Sequence, residues 1–329
     1  MSESRRRIYS ELVPLDELAR APVLAALAER KVQLLAAVQP GGRDGALRVV
    51  ERARELDLSI GLWPLLPNER GRWLYSGNAG EFARWIDELV LEIDRRGLSI
   101  DALLLDLEPP IAEVKGLTGG RLAAVRAWLS RRTDPSVHRA IVAMLAERGI
   151  ESIAAIVPQV VAPGGSGRGW QKALGTPIDA PYRVLHAMLY TSLFEGFSRG
   201  VLSRPGARAL LFRWAQLARD TFGERAGVSL GAVGVGALGD EQTYRDVSEL
   251  ADDVALVRLC GIEDIALFDL SGVLARPGAE RWLDALVHTP PARDRPAQTL
   301  AARALWGALW LAGQAFDVVI QPRRGPGPP

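Results

Sequence analysis

The chain has 329 residues, 48% of them hydrophobic, and its 40 basic and 39 acidic residues give a formal net charge of +1. This balance gives no reason to expect a nucleic acid or a membrane surface as partner. The single cysteine, Cys260, excludes an intrachain disulfide and a thiolate metal cluster, and the three dispersed histidines form no zinc motif. We therefore expect neither a metal nor a cofactor.

Apolar runs alternate with runs of helical periodicity along most of the chain. The predicted strands are, in chain order, residues 8–13, 32–39, 58–66, 100–108, 152–160, 184–191, 228–237 and 264–270. The predicted helices are residues 15–30, 43–56, 81–96, 122–132, 136–148, 208–222, 244–259 and 279–288. Strands that are apolar on both faces and separated by helices are typical of an α/β protein with a parallel sheet. Their number predicts a (β/α)8 TIM barrel as a single domain over residues 1–288, and an open doubly wound sheet is the alternative.

The two ends of the chain differ in composition from the predicted barrel. Residues 304–320 are apolar apart from Gln314 and Asp317, but the run is short for a membrane span and Asp317 would be costly in lipid. We predict that residues 289–320 form a helical extension packed on the barrel, with a membrane tail as the weaker alternative. Residues 321–329 predict a disordered tail. The start, MSESRRRIYSEL, has no apolar stretch of a signal peptide, so we expect a cytoplasmic protein.

Two carboxylates close the fourth predicted strand, in the segment IDALLLDLEPP. Because side chains alternate along a strand, Asp106 and Glu108 share a face with Leu104, and the other leucines face the helices. The two prolines end the strand, so Glu108 should lie at the C-terminal mouth of the barrel, where barrel active sites are found. Two carboxyl groups this close in an apolar pocket raise the pKa of one of them, as a general acid requires. The alternative is a structural ion network in which both acids pair with arginines.

The same strand resembles the D-x-x-D-x-D-x-E signature of glycoside hydrolase family 18, the chitinase-like barrels, in which the signature lies on the fourth strand. Asp101, Asp106 and Glu108 match the signature, and Leu104 replaces one aspartate. The resemblance covers the predicted barrel, residues 8–288, and its fourth strand is the only fairly specific part.

Two further stretches are similar to the family more weakly. Met188-Leu-Tyr190-Thr191 on the sixth predicted strand resembles M-x-Y-D, with Thr191 replacing an aspartate. The stretch that ends at Phe268 on the eighth strand resembles the one that carries the family's pocket-floor tryptophan. Both replacements weaken sugar binding relative to the family, because Thr191 lacks the carboxylate of the aspartate and Phe268 is a smaller stacking surface than tryptophan.

Family 18 enzymes use the N-acetyl group of the substrate as the nucleophile. The resemblance therefore implies an N-acetylated amino-sugar glycoside as substrate. It implies Glu108 as general acid and then base, Asp106 as the residue that orients the acetamido group, and Tyr190 as a hydrogen-bond donor to the acetamide oxygen. Leu104 removes a carboxylate that would share a proton with Asp106, so a barrel that binds carbohydrate without cleaving it is an alternative.

Several other residues are candidates for contacts with a sugar. Tryptophans near predicted strand ends or in long loops stack on sugar rings or pack on the core, and both roles are open. The run IAAIVPQV on the fifth strand is similar to the family, though not specifically. The predicted substrate-binding residues are Trp63, Gln159, Trp170, Thr191 and Phe268.

The stretch Gly234-Val-Gly236-Ala-Leu-Gly239 follows a predicted strand and fits G-x-G-x-x-G. It suggests a phosphate site, which barrels often build from the loops after strands seven and eight. Glycines at points where backbones pack closely are the alternative.

Three hypotheses follow. The leading one is an intracellular glycosidase of the chitinase-like kind, with a carbohydrate substrate and no nucleic-acid or membrane partner. The second is a barrel that binds carbohydrate without cleaving it. The third is a barrel enzyme that acts on a phosphorylated small molecule.

Overall fold

The computed structural model describes residues 4–110, 133–161, 163–164, 167–235 and 242–320, with side chains up to residue 315. Its eight strands are parallel and pair in chain order into a closed barrel, β1 with β2 through to β8 with β1. The strands are β1 Arg5–Ser10, β2 Val32–Val38, β3 Ile60–Pro64, β4 Ala102–Leu107, β5 Glu151–Ile156, β6 Val184–Met188, β7 Ala226–Gly231 and β8 Asp264–Phe268. The predicted (β/α)8 barrel is confirmed, and the open sheet is excluded.

Helices surround the barrel. Those described are α1 Leu15–Leu18, α2 Val23–Glu29, α3 Arg43–Glu55, α4 Ala79–Arg95, α5 Ser136–Glu147, α6 Arg168–Leu174, α7 Thr191–Phe197, α8 Arg204–Phe222, α9 Val247–Leu259, α10 Leu270–Leu274, α11 Ala279–His288 and α12 Leu300–Ile320. Short 3-10 turns occur at Pro40–Gly42, Asn68–Arg70, Pro158–Val161 and Gly223–Arg225. The predicted helix at 122–132 lies outside the described residues.

Prolines explain two differences from the predicted elements. The predicted helix 15–30 is divided into α1 and α2, because Pro22 lacks the amide hydrogen that a continuous helix needs. The predicted strand 152–160 ends at Ile156, and Pro158 begins a 3-10 turn instead. The predicted strand 184–191 ends at Met188, and Thr191 is the first residue of α7.

The alternation predicted for β4 is observed. Leu103, Leu105 and Leu107 join the large core between the strands and the helices. Ala102 and Leu104 belong to a separate cluster inside the barrel, with inward side chains from the other strands. The acids that follow on the inward face are thereby directed towards the C-terminal mouth.

A buried ion network closes the N-terminal end of the barrel. Arg7 donates through Nε to Asp264 (2.8 Å) and through Nη2 to Asp264 (2.7 Å) and Glu151 (2.9 Å). His186 lies next to it and is bonded to Asp264 (2.8 Å) and to the Tyr9 hydroxyl (2.8 Å). Burial opposes ionisation of Asp264, but His186 and Arg7 outweigh it and hold the pKa of this carboxyl below its usual range.

A glycine makes room for this network. Gly227 on β7 faces the imidazole of His186, and a Cβ at this position would lie 2.1 Å from that ring. Only glycine fits here, so the small residue on β7 is explained by packing at the barrel floor.

The C-terminal helix α12 packs against α6 and α8. The Trp306 ring meets Trp214 of α8 edge-on, with ring centroids 5.1 Å apart. No helix in the described ranges is both long and apolar enough to cross a membrane. The predicted disordered tail, residues 321–329, lies outside the described residues.

Candidate active site

A cavity of about 910 Å³ opens at the C-terminal ends of the strands. This volume lies within the range of small-molecule sites. Asp106, Glu108 and Tyr190 all line it, so the structure brings the three predicted catalytic residues together. The predicted binding residues Trp63, Gln159 and Phe268 line the same cavity, together with Trp73.

The alternation of side chains along β4 places both acids on the inward face of the barrel. The side chain of Asp106, near the end of the strand, is buried, with the residue 5% exposed, and Glu108 stands two residues later at the barrel rim. Their carboxyl groups lie within hydrogen-bonding reach of each other. Burial, together with the nearby charge of Glu11, raises the pKa of Glu108 to about 7. Burial and the charge of Glu108 raise the pKa of Asp106 well above its usual range, so the pair retains a proton near neutral pH.

A third carboxylate, Glu11, lies beside the pair and was not predicted from the sequence. It follows β1, and its side chain is only 2% exposed. Arg72 donates to the Glu11 carboxylate from Nε (3.0 Å) and Nη2 (2.5 Å), which stabilises its ionised form. Glu11 thus adds a third carboxylate, paired with Arg72, next to Asp106 and Glu108.

The arginine of this region does not neutralise the acid pair. Arg72 lowers the pKa of Asp106 less than burial and the charges of Glu108 and Glu11 raise it, because its guanidinium is directed to Glu11. The structural ion network considered for Asp106 and Glu108 is therefore not what the described residues show.

Tyr190 stands at the end of β6 on the cavity wall. Its hydroxyl is 3.0 Å from the Ser229 hydroxyl of β7. Its ring stacks on Phe268, with centroids 5.6 Å apart and planes at 19°. Burial raises the pKa of Tyr190 well above its usual range, so the hydroxyl keeps its proton and can donate a hydrogen bond.

Aromatic rings form the inner wall of the cavity. The rings of Tyr9, Trp63 and Phe268 form a triangle of contacts, with centroid distances of 5.6 Å (Tyr9 to Trp63), 6.4 Å (Tyr9 to Phe268) and 6.5 Å (Trp63 to Phe268). Such rings offer a flat apolar surface to a sugar ring. Phe268 and Trp63 both contribute to this aromatic wall.

Two buried polar atoms in this wall lack hydrogen-bond partners among the described residues. They are the Oδ1 atom of Asp106, an acceptor, and the Nε1 atom of Trp63, a donor. Unsatisfied buried polar atoms are rare in folded proteins. A ligand that offers an N–H to Asp106 and an oxygen to Trp63 would satisfy both.

Thr191 is not brought to the cavity. It is fully buried at the start of α7, where its hydroxyl donates to Asp253 and accepts from Arg204 (2.5 Å). The Tyr244 hydroxyl donates to the same Asp253 (2.9 Å). Because the chain turns into a helix at Thr191, its side chain joins the network between α7, α8 and α9 and does not follow Tyr190.

Trp170 and the first aspartate of the signature also lie elsewhere. Trp170, in α6, packs against the helix-side core and does not line the cavity. Asp101 precedes β4 at the opposite end of the barrel, where it accepts from the Ser59 hydroxyl (2.7 Å) and from the Ile60 amide (2.9 Å). These hydrogen bonds link the N-terminal ends of β3 and β4.

The predicted phosphate turn is described only in part, since Gly236 and Gly239 lie outside the described residues. A Cβ on Gly234 would lie 2.7 Å from an Asp269 carboxylate oxygen and 2.9 Å from Gly272. Gly234 thus permits close packing against α10. Within the described ranges, no group of three or more His, Cys, Asp or Glu side chains could hold a metal ion.

The residues that the sequence did not reveal come from other strands. Glu11 directly follows β1, Ser229 belongs to β7, and Arg72 lies in the loop after β3. A signal for Glu11 exists in hindsight, because alternation places it on the inward face with Arg7 and Tyr9. No sequence signal connects Arg72 to it.

Comparisons with known proteins agree on the fold. The barrel is similar to the chitinase RmChi1 from Rhizomucor miehei, with a TM-score of 0.51 and 14% identity over 86% of this chain and 98% of that one. It is similar to the glycoside hydrolase domain of PgaB (BpsB) from Bordetella bronchiseptica, with a TM-score of 0.50 and 13% identity over 87% and 99%. It is also similar to ZgEngAGH5_4, solved with a cellotriose, with a TM-score of 0.51 and 12% identity over 86% and 95%.

No protein-family model matches the chain, and no curated protein matches its sequence. At identities this low, the structural likeness establishes the fold and not the reaction. The chain is therefore a closed (β/α)8 barrel of the architecture found in a chitinase and other glycoside hydrolases.

Proposed function

We propose that this chain is a glycosidase that cleaves an N-acetylated amino-sugar glycoside with retention of configuration, using Glu108 as general acid and base. The observation that carries the proposal is the acid pair at the mouth of the barrel, in which the pKa of Glu108 is raised to about 7 beside a cavity of suitable size. A carboxylic acid that stays protonated near neutral pH is what protonation of a leaving group requires.

Asp106 decides where the proton of the pair resides. When the substrate binds, its amide N–H donates to the free Oδ1 atom of Asp106. A hydrogen bond to a carboxylate favours the ionised form, so the shared proton moves to Glu108. Substrate binding thereby leaves Glu108 protonated and ready to act as the general acid.

In the first step, Glu108 transfers its proton to the glycosidic oxygen, and the bond from this oxygen to C1 breaks, releasing an alcohol. The carbonyl oxygen of the acetamido group forms a bond to C1, which gives a positively charged oxazolinium ring. Ionised Asp106 stabilises this charge through the ring N–H. The Tyr190 hydroxyl, released from Ser229, donates to the acetamide oxygen and positions it for attack.

In the second step, Glu108, now a carboxylate, accepts a proton from a water molecule that attacks C1. The bond between C1 and the acetamide oxygen breaks, and the acetamido group is restored. Glu108 is again protonated and the product sugar keeps its anomeric configuration. Trp63 and Phe268 support the sugar ring throughout, and Gln159 offers a polar group at the cavity wall.

The test uses N-acetylglucosamine oligosaccharides and fluorogenic N-acetylglucosaminides with the parent chain and the variant Glu108→Gln. We expect turnover by the parent that decreases as the pH rises through about 7, and a loss of at least about 100-fold in the variant. The exposed Glu69→Gln is the matched control and should retain full activity.

Two outcomes would contradict the proposal. Tight oligosaccharide binding by the parent with no hydrolysis would establish a barrel that binds carbohydrate without cleaving it. Turnover that survives Glu108→Gln unchanged would place the reaction elsewhere in the molecule.

A further inference from the structure

Beyond the acid pair, the cavity continues as an apolar trough between α7, α8 and the C-terminal helix α12. In the described ranges, the charged residues that line the cavity are Glu11, Asp106 and Glu108. All three lie at its barrel end, so no charged side chain in those ranges lines the trough. The side chains that define the apolar trough include Phe194, Phe197, Val201, Ala304, Leu305 and Ala308.

The trough exposes large apolar side chains to solvent. Phe197 is 58% exposed, Val201 is 69% exposed and Leu305 is 39% exposed. Contiguous exposed apolar groups next to an active site are typical of a surface that a ligand covers. A bare sugar, with hydroxyl groups around its ring, would leave those hydroxyls without partners here.

The shape of the trough follows from small residues on α12. Ala301, Ala304 and Ala308 repeat at the spacing of one helix face, so the wall of the trough stays low along that face. The lining extends from residue 301 to 309, about 12 Å at the rise of an α-helix. A single flat ring would not fill this length, whereas an extended chain would.

The position of the acids decides which part of a substrate reaches the trough. Asp106 lies deeper in the barrel and would hold the acetamido group of the reacting sugar. Glu108, two residues further along, would stand beside the glycosidic oxygen at the rim. The group on the other side of that oxygen therefore lies outside the strand ends, where the trough begins.

We infer that the substrate carries an aliphatic aglycone, that is, an alkyl chain linked through the glycosidic oxygen, and that the apolar trough binds this chain. The inference rests on the proposed function. The released product would be a long-chain alcohol, which leaves through the open side of the trough at Phe197 and Val201.

The test compares methyl, octyl and 4-methylumbelliferyl N-acetylglucosaminides below the concentration at which micelles form. We expect kcat/KM to rise about tenfold or more from the methyl to the octyl glycoside, since each buried methylene adds to binding. Replacing the low wall by Ala308→Trp or Ala304→Trp should abolish this gain, so that the octyl and methyl glycosides give about the same kcat/KM. Ala315→Trp, exposed on the same helix and outside the cavity lining, is the matched control and should retain the gain.

Binding without turnover separates this inference from the proposed function. The octyl and methyl thioglycosides are titrated against Glu108→Gln by calorimetry. If no glycoside is cleaved but the octyl thioglycoside binds at least about tenfold more tightly and Ala308→Trp removes the difference, the trough is confirmed and the hydrolase is not.

Other results would overturn the inference. Equal kcat/KM for the methyl and octyl glycosides would show that the chain is not bound, while hydrolysis itself would stand. A preference for the 4-methylumbelliferyl over the octyl glycoside that Ala308→Trp abolishes would assign the trough to an aromatic aglycone. A parent that dimerises in sedimentation, with an Ala308→Trp variant that does not, and no effect of chain length, would make the trough a contact between two copies.

Discussion

Carboxylates lie at both ends of the barrel, but the two ends differ in the partners of these groups and in the direction of their pKa shifts. At the N-terminal end, Asp264 and Glu151 are bonded to Arg7, and the pKa of Asp264 is held below its usual range. At the C-terminal mouth, Asp106 and Glu108 receive no such bond among the described residues, and the pKa values of both are raised.

The availability of cations explains the difference. Three consecutive arginines begin β1 at the N-terminal end of the barrel, whereas Arg72 at the mouth donates its hydrogen bonds to Glu11. Because Glu11 takes this cation, it keeps its own charge and raises the pKa of its neighbour. A fully paired acid stabilises the fold, and an acid left without a counter-ion retains a proton that chemistry can use.

The largest effect is expected for the buried ion network at the N-terminal end of the barrel, the barrel floor. Arg7→Met removes the buried cation that Asp264 and Glu151 share, leaving His186 and Arg5 as their remaining partners. We expect a loss of about 3–5 kcal/mol in the free energy of unfolding, measured by denaturant titration. Arg48→Met is the matched control, because its pair with Asp16 is exposed to solvent and should contribute little to the free energy of unfolding. Equal effects of the two variants would remove the distinction between floor and surface.

The next prediction concerns the pH dependence of stability at the mouth. The pKa of Glu108 in the folded chain, about 7, exceeds its usual 4.5, so the folded state binds the proton more tightly than the unfolded state. Stability from this group is fully present below about pH 4.5 and is lost as the pH rises through about 7.

Glu108→Gln removes this loss. The variant should gain stability relative to the parent between pH 5 and pH 8, by at most about 3 kcal/mol, in thermal unfolding at both pH values. Glu69→Gln should show no such pH-dependent difference, since Glu69 is exposed. A Glu108→Gln difference that is the same at both pH values would mean that Glu108 is ionised throughout.

The third prediction concerns the hydroxyl at the cavity wall. Tyr190→Phe keeps the ring that stacks on Phe268 and removes the proposed donor to the acetamide oxygen, so kcat should fall about 10- to 100-fold. Tyr182→Phe removes another buried hydroxyl, one bonded to His138 away from the cavity, and should lower stability without lowering kcat. An unchanged kcat in Tyr190→Phe would remove Tyr190 from the mechanism.

The smallest effect tests the third acid. Glu11→Gln removes a negative charge beside Glu108 and frees Arg72, and both changes favour the ionised form of Glu108. The alkaline limb of the kcat/KM profile should therefore move towards lower pH, by about one unit. A limb that stays in place would show that burial alone raises the pKa of Glu108.

The barrel and its acid pair could be predicted because they depend on local patterns. Continuous apolar runs and helical spacing indicated the elements, and alternation along β4 was sufficient to direct Asp106 and Glu108 inward. Tyr190, Trp63 and Phe268 line the cavity because each lies on or just beyond a strand that ends at the mouth. Gln159 reaches the cavity from the 3-10 turn after β5, where a strand had been predicted.

Thr191 and Trp170 show where local patterns were insufficient. The strand predicted through residue 191 ends earlier, and α7 begins at Thr191. The Thr191 hydroxyl is therefore hydrogen-bonded to Arg204 and Asp253 between the helices. Trp170 lies on a short helix whose position depends on its packing and not on its own residues.

The sequence by itself determined the class of fold, the inward face of β4 and the presence of two adjacent acids, since each follows from the period of side chains along one element. Only the tertiary structure decided that Glu11 and Arg72 stand beside them, that the floor acids are neutralised by Arg7, and that α12 extends the cavity into an apolar trough. The physical reason is that these contacts join elements distant in the chain. Their distances, and hence the burial and charge that shift each pKa, exist only once the barrel has closed.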